Sequence, residues 1–74
     1  MLLPVDIAKD RVGGYFVSTI YVEIASDHRY YETIVFDPRN DSVWEFRALD
    51  RDEALKAHAL GVDFALAEQG IGGA

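Results

Sequence analysis

The segment Tyr15–Ala25 (YFVSTIYVEIA) runs for eleven residues without Gly or Pro and is dominated by β-branched and aromatic side chains. Such a run suits a pleated, packed surface, and its length is enough for a full strand. Alternate residues share a face of a strand. One face then carries Phe16, Ser18, Ile20, Val22 and Ile24, and the other Tyr15, Val17, Thr19, Tyr21 and Glu23. Neither reads as a water face. A strand that is apolar on both sides needs cover on both sides.

Cover is scarce in a chain of 74 residues. A chain of this size forms one domain and buries only roughly 60% of its unfolded surface. Small domains often lean on disulfides, metals or oligomerisation. Cysteine is absent, which excludes disulfides and thiolate zinc sites. His28 and His58 show no metal-ligand spacing, and neither a metal nor a cofactor is expected. Self-association is the support that remains.

Seven basic and thirteen acidic residues give a formal net charge of −6. Nucleic-acid binders neutralise phosphates with Lys and Arg. Here the basic residues, Lys9, Arg11, Arg29, Arg39, Arg47, Arg51 and Lys56, are scattered and form no stripe, so nucleic acid is disfavoured as a partner. The N-terminal segment lacks the basic start and apolar length of a signal peptide, and no segment reaches the length of a membrane span. A soluble, cytoplasmic protein is expected.

In chain order, residues 1–14 read as an N-terminal arm or an extra edge strand built on Leu2, Leu3, Val5 and Ile7, with Pro4 tolerated only at an edge. Gly13-Gly14 breaks the chain before the first confident strand. A three-residue turn at Ser26-Asp27-His28 would lead into Arg29–Phe36, setting Ile20 opposite Ile34. Asp37-Pro38-Arg39-Asn40-Asp41 is a strong turn signal, with Pro at the second position of a type I turn. Ser42–Ala48 follows, and pairing Ile34 with Trp44 gives a core face of Phe16, Ile20, Val22, Ile24, Ile34, Phe36, Trp44 and Phe46. Asp50 and Glu53 form a capping-box signature for a helix over 50–69. Gly70 is the expected stop, and 70–74 a loose tail. Leu55, Ala59, Val62 and Leu66 form the stripe expected to cover the sheet, with Ala57, Leu60, Gly61 and Phe64 as a second apolar patch. The fold class is α+β: a three-stranded antiparallel meander over 15–48 followed by one C-terminal helix, β-β-β-α.

Catalysis finds little support in these residues. His58 is the ionisable group nearest the apolar stripe, but no partner or pocket for a general base is legible. Ser18, Thr19, Ser26, Thr33 and Ser42 lie in no nucleophile motif, and the glycines form no phosphate loop. Asp37 and Asp41 lack the spacing of a calcium loop. The chain is read as non-enzymatic. Tyr15, Val17, Thr19, Tyr21, Tyr31, Thr33 and Val35 on the odd-numbered sheet face, with Leu60 and Phe64 on the helix, make the candidate interface, because tyrosine favours partly wetted protein contacts.

Tyr31–Phe36 (YETIVF) and Asp52–His58 (DEALKAH) are similar to segments of small proteins encoded by phages of actinobacteria, in which an E-T-x-V-F strand precedes a second strand and a helix opening with E-A-L-x-x-H. The likeness spans little more than half of the chain, excludes residues 1–14 and the tail, and carries over no functional residue. It implies an accessory protein acting inside a bacterial host. The leading expectation is a homodimeric module that binds another protein, such as a host factor. The alternatives are a nucleic-acid-associated regulator of β-β-β-α type and an acidic decoy of a nucleic-acid site, the latter favoured if Asp37, Asp41, Asp50, Asp52 and Glu53 cluster on one edge.

Overall fold

The computed structural model describes residues 4–72. Four strands, β1 (Val5–Val12), β2 (Tyr15–Ala25), β3 (His28–Phe36) and β4 (Ser42–Ala48), are followed by one helix, α1 (Arg51–Gly72). The strands form an antiparallel meander in the order β1-β2-β3-β4. The N-terminal segment is therefore an edge strand and not an arm; Leu2 and Leu3 lie outside the described residues.

Each hairpin has a local cause. Gly13 takes a φ of 60° in the β1–β2 turn, a conformation that carries little cost only without a Cβ. A Cβ at Gly13 would also run into the Gln69 side chain of α1. The β2–β3 turn uses two residues, Ser26 and Asp27, between the paired Ala25 and His28, and the register then shifts at Ile24. This bulge sets Ile20 opposite Glu32, so the expected three-residue turn and Ile20–Ile34 pairing do not form. In the β3–β4 loop, the Asn40 N–H donates to the Asp37 carbonyl at 2.8 Å, and the Asp37 carboxylate accepts from the N–H groups of Arg39 and Asp41, each at 2.9 Å. Pro38 holds the second position of that turn, as its fixed φ favours.

A second bulge decides the architecture. Phe36 pairs with Ser42 but Val35 pairs with Trp44, leaving Val43 as the extra residue. A one-residue slip moves every following side chain to the opposite face. Trp44, Phe46 and Ala48 thereby join Val35, Thr33 and Tyr31, rather than Ile34 as expected.

The helix begins at Asp50, whose carboxylate accepts the Glu53 N–H at 2.8 Å, the capping interaction foreseen. It does not stop at Gly70, which lacks the positive φ of a glycine C-cap, and it continues to Gly72; Gly73 and Ala74 lie outside the described residues. Its inward stripe is Ala54, Ala57, His58, Gly61 and Ala65, all buried. The expected stripe is rotated by about one residue: Leu55 and Leu66 are 41% and 54% exposed, Ala59 is exposed and Val62 only half-buried. Small residues face the sheet because the helix lies close to it. A Cβ on Gly61 would stand 3.1 Å from Val17 Cγ1, 3.2 Å from Val35 Cγ2 and 3.3 Å from Trp44 Cζ3.

The helix thus covers the odd-numbered face of β2 and β3. Val17, Thr19, Thr33 and Val35, expected as an open interface, are at most 1% exposed, and Tyr15, Tyr21 and Tyr31 are partly buried on the same side. The even-numbered face, expected as the core, has no element over it among the described residues. Substituting Gly61→Leu should lower stability by about 1–3 kcal/mol through overpacking. Gly70→Ala, with open space around it, should raise stability by roughly 0.5–1 kcal/mol. Urea denaturation of the two variants reads both effects, and equal behaviour would contradict the close helix–sheet approach.

Candidate functional site

Two features could carry function: a polar chain beneath the helix and the uncovered face of the sheet. The polar chain starts from Thr19 and Thr33, directly paired across β2 and β3, whose hydroxyl oxygens stand 2.6 Å apart. His58 Nδ1 lies 2.7 Å from Thr19 Oγ1, and its Nε2 lies 2.7 Å from Asp10 Oδ2 on β1. The consistent reading has the Asp10 carboxylate accepting from Nε2–H. Nδ1 then accepts from the Thr19 hydroxyl, which in turn accepts from Thr33. Every buried side-chain nitrogen and oxygen among the described residues has a partner.

Hydroxyl, imidazole and carboxylate in this order resemble a nucleophile with its base and orienting acid. The setting removes the chemistry. Thr19 is 0% exposed and its oxygen is already engaged twice, so no acyl group can approach it. The chain is a buried, satisfied network that locks the helix onto one sheet face. Sequence reading found His58 but missed Asp10, whose carboxylate sits on an edge strand far away along the chain. The signal available was the small-residue spacing of Ala54, His58, Gly61 and Ala65, which marks a helix face that packs closely.

The uncovered face carries Phe16, Ile20 and Val22 from β2 and Tyr30, Ile34 and Phe36 from β3, all partly exposed. Phe16 and Phe36 stack at 6.4 Å between centroids. Charged side chains stand at both edges. Arg11 lies 5.4 Å over the Phe16 ring, and Lys9 pairs with Asp6 at 2.8 Å. Arg47 lies 4.1 Å over Tyr30 and reaches Glu32 at 3.2 Å. The arrangement can bury apolar area against a partner while keeping charge at the rim, the anatomy of a protein contact.

The remaining sequence candidates fall elsewhere. Phe64 stacks on Trp44 at 6.3 Å, and Leu60 lines an open cavity of about 250 Å³ with Phe46, Glu53, Lys56 and Ala57. Tyr21 and Tyr31 meet at 5.0 Å, partly buried on the helix side of the sheet. Asp37 and Asp41 sit at one end of β4 and Asp50, Asp52 and Glu53 at the other, on the order of 20 Å apart for a strand of that length, so these five acids do not form the single cluster that would favour a decoy. Among the described residues no three metal-ligating side chains gather, and no helix is long and apolar enough to cross a membrane.

Thr19→Val should cost about 1–3 kcal/mol of folding stability, because it leaves buried partners unpaired. The triple replacement Thr19→Val, Thr33→Val, His58→Leu should recover part of that loss. Denaturant midpoints measure both, and a neutral single variant would show the chain to be idle. Comparison with protein-family models, with curated proteins and with solved structures gave no match.

Proposed function

We propose that this chain is a non-enzymatic protein-binding module that is homodimeric, and that the uncovered sheet face makes its contacts. The observation that carries this reading is an imbalance of burial. Among the described residues, the covered apolar side chains are two valines and four alanines: Val17, Val35, Ala48, Ala54, Ala57 and Ala65. A buried methylene contributes only about 0.8 kcal/mol, so this core is thin, while larger groups on the other face remain partly wet. Contiguous apolar surface of that kind marks an interaction site. The likeness of YETIVF and DEALKAH to phage proteins supports an accessory role in a bacterial cytoplasm, where a host protein would compete with the second copy for the same face.

Sedimentation equilibrium should show a dimer at tens of micromolar. Ile20→Lys, which points away from the helix, should shift it to monomer while circular dichroism stays unchanged. A wild-type monomer at high micromolar concentration would contradict the reading. So would tight binding of a single-stranded oligonucleotide at low salt, lost steeply as salt rises.

A further inference from the structure

We propose that the uncovered face seats a second copy about a two-fold axis running along the strands, so that β1 of each copy crosses β4 of the other. The proposal rests on the protein-binding reading above and specifies its geometry. Cross-strand register arranges the face in rows. Lys9, Ser18, Ile34 and Glu45 form one row, and Asp6, Ile20, Glu32 and Arg47 the next. In both rows the β1 and β4 ends carry opposite charge, and the sign alternates from row to row.

Rotation about an axis parallel to the strands lays each row on its own reverse. Lys9 then faces the partner's Glu45, and Asp6 faces the partner's Arg47, so the Lys9–Asp6 pair, joined at 2.8 Å within each copy, meets a dyad of complementary sign. Both pairs form twice, once at each edge of the dimer, with Ile20 and Ile34 between them beside Ser18 and Glu32. The same rotation sets Phe16 across the partner's Phe36, so the aromatic pair meets its own copy. Glu32 does not enter unpaired, because Arg47 holds its carboxylate at 3.2 Å; an unpaired buried charge is what makes such contacts costly.

The area is sufficient. Four strands at ~4.8 Å spacing and about eight residues long at ~3.4 Å each span a plane of roughly 500 Å². The side chains standing on that plane expose more than its projection, so two copies bury over ~1,000 Å², the threshold for a specific interface. Sheets packed face to face stand ~10 Å apart, a gap that long edge side chains bridge. Turning the second copy end over end, about an axis across the strands, would instead set Lys9 against Asp6. That arrangement carries Phe16 and Phe36 to the far end of the partner sheet.

Two charge reversals separate these arrangements. Lys9→Glu and Glu45→Lys are prepared separately, and each is checked by circular dichroism. Each alone places like charges together twice and should weaken self-association by ~10-fold or more. Mixed, they restore both pairs, so a heterodimer of near wild-type affinity should form. Native mass spectrometry with one variant labelled with nitrogen-15 reads it. Singles that dimerise like wild type, or a mixture as weak as the singles, would overturn the geometry while leaving the wild-type dimer and the protein-binding reading standing. A monomeric wild type would overturn both. If either single fails to fold, the milder Lys9→Gln and Glu45→Gln carry the test: each should weaken self-association and the double variant no further than either single, whereas additive or absent effects would overturn the geometry.

Discussion

The chain of hydrogen bonds from Asp10 through His58 and Thr19 to Thr33 decides which side of the sheet this protein buries. A histidine on the inner face of a helix needs a partner for each ring nitrogen. On the odd-numbered face, Thr19 and Asp10 supply a hydroxyl and a carboxylate within reach of the two ring nitrogens. With His58 joined to Thr19 and Asp10 at 2.7 Å each, rotating the helix to present its leucines would break both of its hydrogen bonds. Leaving a buried donor or acceptor unpaired costs more than one hydrogen bond contributes, so the polar chain overrides the larger hydrophobic appeal of the other face.

Close packing follows from that choice. Ala54, Ala57, Gly61 and Ala65 bring the helix down onto Val17 and Val35, and the molecule becomes a thin slab of 47 × 22 × 15 Å. Its radius of gyration of 13.0 Å exceeds the about 11 Å expected of a compact domain of this length. Thinness means that much of the apolar content remains outside. Leu49, Leu55, Leu60 and Leu66 stand largely in solvent, and the aromatic pair Phe16–Phe36 lies on the sheet side with no helix over it.

The meander, the terminal helix and the Asp50 cap were legible because periodicity, turn residues and capping chemistry act locally. The face assignment was not. Strand periodicity separates even from odd residues of β2 but does not say which set lies inside, and the more hydrophobic set was the natural expectation. Three bulges, at Ile7, Ile24 and Val43, also reset the register, and none is announced by a glycine. The helix stripe misled for a related reason: leucine was weighted above alanine, although a close helix–sheet contact admits only the smaller residue. The two-sided apolar character of Tyr15–Ala25 did carry the essential information, since one of its faces has no cover within the described residues.

The central claim is that the face bearing Ile20 and Ile34 is covered by protein in the working state of the molecule. Methyl NMR of these two isoleucines with a soluble paramagnetic probe, over a dilution series, tests it most directly. Methyl signals shielded from the probe at high concentration and broadened on dilution would agree with the account. Signals equally broadened at every concentration would contradict it.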